Sequence, residues 1–161
     1  MNLLLIRHAI AAPLGQPAKR DEDRQLTELG ERRFEVVARA LREIVPKPSA
    51  ILTSPLVRAR QTAAIAAKIW GGIDPMEVPA LVDGDWEGIC RALDPYGKAD
   101  TVALVGHESW ISRVTARLLD AKAARAFAFR KGGVAMMEID QPRAGRGRLL
   151  WFIPPKVFRK L

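Results

Sequence analysis

The chain has 161 residues, 48% hydrophobic and 27% charged, which is enough apolar material for a sizeable core and too much for a disordered chain. A single cysteine, Cys90, excludes an intramolecular disulfide and any multi-cysteine metal site. The formal charge of +8 suggests nucleic acid only until it is split: residues 1–120 carry 16 basic and 16 acidic side chains, residues 121–161 carry 10 and 2.

The first apolar run, Leu3–Ile6, reaches Arg7 too soon for a signal-peptide core or a membrane span, so the cytoplasm is the expected location. As a strand it reads as buried on both faces. Pro13 to Gln25, with its cluster Lys19-Arg20-Asp21-Glu22-Asp23-Arg24, reads as a long loop, and loops of this length tend to be functional. Thr27 is expected to cap a helix whose apolar positions are Phe34, Val37, Ala38, Leu41 and Val45, with Pro46 as its stop. Ala50–Thr53 is a second strand. Ser54-Pro55 is expected to open a helix to about Trp70, with Pro55 near its first position and Gly71-Gly72 ending it.

Met76–Val78 reads as a further strand, and Asp83–Pro95 contains a short helix around Glu87–Leu93. Thr101–Val105 is another buried strand. The helix predicted after it, Glu108–Leu119, places Trp110, Ile111, Val114 and Leu118 on one face, with Ser109 as its cap. Val134–Ile139 and Leu149–Ile153 read as two late strands joined through a turn at Pro142–Gly147. This alternation predicts one α/β domain over residues 1–161, a three-layer α/β/α sandwich with a mostly parallel sheet and an antiparallel edge.

Both histidines of the chain follow a predicted buried strand, as Leu5-Ile6-Arg7-His8 and Leu104-Val105-Gly106-His107. Ligands of open α/β sheets bind outside the carboxyl ends of the strands. A third strand end, Ile51-Leu52-Thr53-Ser54, leads to Arg58. Arg7, His8, Arg58 and His107 are therefore expected around one crevice, two guanidinium forks for phosphate oxygens and two imidazoles as nucleophile or donors. Two histidines without a ligand-spaced partner make a weak metal signature, so neither metal nor cofactor is expected.

Arg7-His8-Ala9 resembles the Arg-His-Gly signature of the histidine phosphatase (phosphoglycerate mutase-like) superfamily. Ser54-Pro55-Leu56-Val57-Arg58-Ala59-Arg60-Gln61-Thr62-Ala63 is similar to its second motif, and Val105-Gly106-His107 to its third. The short length and Arg24-Gln25-Leu26-Thr27-Glu28-Leu29-Gly30 resemble the small bacterial branch of SixA-type phosphohistidine phosphatases. The resemblance implies a metal-independent phosphatase in which His8 attacks phosphorus and forms a covalent phosphohistidine. Arg7, Arg58 and a protonated His107 would stabilise the transferring phosphoryl group, and Arg24 would be a further phosphate or substrate contact.

The sequence departs from the family at two points. Ala9 replaces the usual glycine, a small-for-small change. Pro79-Ala80-Leu81 stands where relatives carry an acid in Pro-Glu-Leu, leaving Asp83 as the candidate general acid and Asp85 beside it. An alkoxide leaving group, from a hydroxyl of pKa near ~15.7 for water, needs that proton. An imidazole, basic enough to be protonated near ~6.5, can depart neutral with little help. The missing acid therefore favours phosphohistidine in a protein, such as a histidine-phosphotransfer domain, over a small phosphomonoester. A non-catalytic phosphate- or nucleic-acid-binding protein is the remaining alternative, and an imidazole beside Arg7 at a strand end argues against it. Trp86 and Cys90 read as packing residues. The charge excess of residues 121–161 follows the last motif and is expected to lie outside the site, where it would steer an acidic partner.

Overall fold

The computed structural model describes residues 1–158 and 160. Six strands form one sheet: β1 (Asn2–Arg7), β2 (Ala50–Thr53), β3 (Met76–Glu77), β4 (Thr101–Gly106), β5 (Val134–Ile139) and β6 (Gly147–Ile153), in the order β3-β2-β4-β1-β5-β6. The first four in that order run parallel, and β5 is antiparallel to both β1 and β6. The two late strands thus form the expected antiparallel edge, with β6 outermost and β5 between it and β1. A hairpin joins β5 to β6, and a hairpin must reverse direction.

Alternate residues of a strand point to opposite faces, so a continuous apolar run feeds two cores. Leu4 and Ile6 enter one, with α1 (Glu28–Ile44), α2 (Val57–Ile69) and Phe158 of α5 (Pro155–Phe158). Leu3 and Leu5 enter the other, with α3 (Trp86–Leu93) and α4 (Trp110–Leu118). The result is the expected three-layer sandwich. No described helix is long and apolar enough to cross a membrane.

Thr27 caps α1 as its sequence implied, its hydroxyl accepting from the Gly30 amide. Gly30 is required there, because a Cβ would overlap the Ile10 carbonyl on which the Thr27 amide hangs. Two expected helix starts move. Helix α2 begins at Val57 with Leu56 as cap, so Pro55 precedes the helix; the Leu56 amide is turned onto the Ser54 hydroxyl instead. Helix α4 begins at Trp110, and Ser109 occupies the cap position without a side-chain capping bond, because its hydroxyl accepts from Arg113 Nη1 at 2.6 Å.

Strand β1 is followed by α1 on one face and β4 by α4 on the other, so the chain leaves these adjacent strands in opposite directions and opens a crevice at their carboxyl ends.

Candidate active site

Register sets the site. Arg7 pairs with Gly106 and Thr53 with Val105, so three strand ends stop level with one another. The His8 amide donates to the Gly106 carbonyl (2.9 Å) and the Ser54 amide to the Val105 carbonyl (3.0 Å), extending the ladder one residue beyond the strands. His8 and His107 therefore face each other with ring centroids 5.1 Å apart. His8, Arg58 and His107 are 5–6% exposed, an unusual burial for such polar groups.

The hydrogen bonds say which edge of each side chain is held and which is free. His8 Nδ1 lies 2.7 Å from the Ala9 carbonyl, an acceptor, so Nδ1 carries the proton and Nε2 keeps its lone pair. Arg7 is held through Nη1 on the Phe129 carbonyl, leaving Nε buried and unpartnered. Arg58 is held through Nη1 on the Asp21 carbonyl (2.6 Å) and Nη2 on Asp21 Oδ2 (2.8 Å), again leaving Nε unpartnered. His107 Nε2 is 2.8 Å from the Ser54 hydroxyl, and its Nδ1 is buried without a partner. Buried donors without acceptors cost about 1–3 kcal/mol each. Arg7 Nε and Arg58 Nε are two such donors, and His107 Nδ1 becomes a third when the ring is protonated.

Burial, then the neighbouring cations, set the charge states. Desolvation pushes His8 down to about 3, opposed by the Ala9 carbonyl and assisted by His107, Arg58 and Arg7. Desolvation, with Arg58 and Arg7, pushes His107 down to about 4 despite Asp21. At neutral pH this leaves the ligand-free His107 neutral; the protonated form expected against a phosphoryl group would draw on the negative charge that group brings. Ala9 adopts no positive φ, since Asp120 is the one described non-glycine residue that does, so the methyl replaces glycine without backbone strain.

Arg24 joins the cluster. Its Nε donates to the Ala12 carbonyl (2.7 Å) and its Nη1 to Asp21 Oδ1 (2.8 Å), so Asp21 bridges Arg24 and Arg58. Asp83 is differently engaged: it is exposed, its Oδ1 accepts from the Asp85 amide (3.3 Å), and its carbonyl accepts from Arg113 Nη2 (2.9 Å). Trp86 packs under Arg117, whose guanidinium carbon lies 4.6 Å from the ring centroid, and Cys90 donates its thiol to the Pro142 carbonyl.

Two carboxylates escaped the sequence reading. Asp21 is held below the usual carboxylate range chiefly by its hydrogen bond to Arg24, with Arg58 adding to it. Glu108 accepts from the Ser112 hydroxyl through Oε1, keeps Oε2 buried and unpartnered, and offsets part of the desolvation of Arg7. Its position directly after His107 was the available signal. Among the described residues, no group of three or more His, Cys, Asp or Glu is arranged to hold a metal ion.

The sequence profile of the histidine phosphatase superfamily (branch 1) matches residues 3–93, which include Arg7, His8 and Arg58. SixA from Agrobacterium tumefaciens is 27% identical, with a TM-score of 0.80 over 96% of this chain and 97% of that one. The protein histidine phosphatase SixA in complex with tungstate is 22% identical, with a TM-score of 0.84 over 98% and 99%. The α-ribazole phosphatase from Shigella flexneri is 18% identical, with a TM-score of 0.77 over 96% and 97%.

Proposed function

This chain belongs to branch 1 of the histidine phosphatase superfamily, and from that premise we propose that it hydrolyses phosphohistidine in a protein through a covalent intermediate on His8. The observation that carries the reading is one free imidazole lone pair on His8 together with the buried, unpartnered nitrogens of Arg7, Arg58 and His107. His8 Nε2 attacks phosphorus in line; the P–N bond of the substrate breaks as the new P–Nε2 bond forms. Arg7 Nε, Arg58 Nε and His107 Nδ1 bind the equatorial oxygens, where most of the catalytic stabilisation of phosphoryl transfer resides. The leaving imidazole departs and takes its proton from solvent. Water then attacks phosphorus, the P–Nε2 bond breaks, and inorganic phosphate leaves with the proton balance made in solvent. The cationic side chains supply the charge, so the mechanism calls for no metal.

Support for the substrate class comes from the leaving-group side. Ala80 stands where an acid would serve an alkoxide, and the SixA proteins share this fold over nearly the whole chain. Asp83 is proposed as an auxiliary acid for poorer leaving groups, so Asp83→Ala should slow alkyl phosphate hydrolysis more than phosphoramidate hydrolysis. Arg24 is proposed to act with Asp21 on the phosphate side of the site.

The test is incubation with radiolabelled phosphoramidate, followed by acid and base treatment. Acid-labile, base-stable label is expected on the wild type and none on His8→Ala, with turnover down by at least about a thousandfold. Label that persists in His8→Ala would defeat the nucleophile assignment. Faster turnover of an alkyl phosphate than of a phosphohistidine peptide would overturn the substrate class.

A further inference from the structure

Beside Arg7 the surface opens into a groove of about 870 Å³. All its charged walls are cationic: Arg7 from the end of β1, Arg33 from α1, Arg130 and Lys131 from the loop before β5, and Lys156 from α5. No described ion pair involves Arg33, Arg130, Lys131 or Lys156, whereas Arg20, Arg32, Arg60, Arg91 and Arg148 each have a carboxylate partner. Among the described residues, exposed arginines elsewhere such as Arg39, Arg42, Arg125 and Arg143 also lack a carboxylate partner; what sets this group apart is that its members line one groove with no acidic residue in the wall.

The groove is continuous with the catalytic cluster. The Gly132 amide donates to the carbonyls of Arg7 and His8 (3.1 Å each), and the Arg7 amide donates to Gly133 (3.0 Å), so the loop carrying Arg130 and Lys131 is fastened to the strand end that carries His8. Desolvation lowers the Lys131 pKa, and the fields of Arg7, Arg24 and Arg58 lower it further. Three cations of the basic segment 121–161, Arg130, Lys131 and Lys156, thus line a groove beside the site.

The volume is far larger than a phosphoryl group needs. Single-stranded nucleic acid calls for free aromatic faces for stacking, but Phe152, the one aromatic residue in the wall, packs edge-on against Phe129 with centroids 4.7 Å apart. Apolar surface from Pro154 and Pro155 beside unpaired cations suits a polypeptide that carries carboxylates.

We propose that this groove receives an acidic segment of the phosphorylated protein substrate, beside the residue whose phosphoryl group sits at His8. The proposal rests on the protein-substrate reading, but docking can be measured without chemistry. The probe is a fluorescein-labelled Glu/Ala peptide without phosphate, with a Gln/Ala peptide as its neutral counterpart. At low salt the acidic peptide is expected to bind the full chain and the neutral one not, with affinity falling as salt rises. Arg33→Gln/Lys156→Gln should weaken binding about tenfold, and Arg91→Gln, outside the groove, should leave it unchanged. Equal affinity for the two peptides, or undiminished affinity in the double variant, overturns the proposal. So does tighter binding of a labelled oligothymidylate that the same variant abolishes. Failure to hydrolyse phosphohistidine would instead strike the substrate reading and leave the peptide result standing.

Discussion

At the scale of single residues, the site works by holding each cationic side chain at its far end. Arg58 shows this most clearly: both terminal nitrogens are fixed by Asp21, and Nε alone is left without a partner. Asp21 is therefore a positioning residue, distinct from a plug that phosphate must displace. The two roles differ in sign. If Asp21 positions Arg58, Asp21→Asn should raise the inhibition constant for inorganic phosphate about three- to tenfold and lower kcat/KM equally, because an amide cannot accept from Arg24 and Arg58 together. The melting temperature should move little, since the carboxylate is half exposed. A plug would give the opposite result, with phosphate binding tighter in the variant. This contact was not legible in the sequence, because it joins positions 37 apart through the closure of an irregular loop. His8 and His107 were legible because each stands at the end of a short apolar run, a local signal.

At the scale of elements, the β4–α4 junction carries the site. Gly106 pairs with Arg7, accepts from the His8 amide, and lies against the Trp110 indole, which in turn donates to the Leu81 carbonyl at 3.0 Å. A Cβ at Gly106 would overlap that ring. Overpacking a close-packed core costs about 1–3 kcal/mol, and the strain here would displace His107 and His8 together. Gly106→Ala is expected to lower the unfolding free energy from urea titration by that amount and to reduce turnover by more than about tenfold, since small misplacements of reacting groups are costly. Gly97→Ala, where a methyl meets only the Asp94 carbonyl at 3.7 Å, should leave both unchanged. Wild-type turnover in Gly106→Ala would show that the junction is more compliant than its packing implies. Elements were readable where periodicity was strong, as in α1 and β4. Their exact ends were not, because the first turns of α2 and α4 are set by partners distant in sequence or on a neighbouring turn, the Ser54 hydroxyl beside His107 and the Ser109–Arg113 pair.

For the whole molecule, the site stores a pH-dependent cost. The chain has two histidines, and both are neutral when folded, at about 3 for His8 and about 4 for His107. In the unfolded chain each titrates near ~6.5. Below that pH the unfolded state binds protons that the native state refuses, so stability falls as pH drops until the folded values are reached. The loss approaches ~1.4 kcal/mol per pH unit for each histidine, or about 2 kcal/mol each between pH 7 and pH 5. Self-repulsion of the +8 chain acts in the same direction as carboxylates begin to protonate. Urea unfolding at pH 7 and pH 5 should show this loss, and His107→Asn should recover about half of it. Inorganic phosphate should shrink it further in the wild type, because an anion against His107 Nδ1 favours the imidazolium and lets the native state take up a proton. Unfolding free energies that stay level between pH 7 and pH 5 would mean that water reaches both rings and that neither is held neutral by its burial.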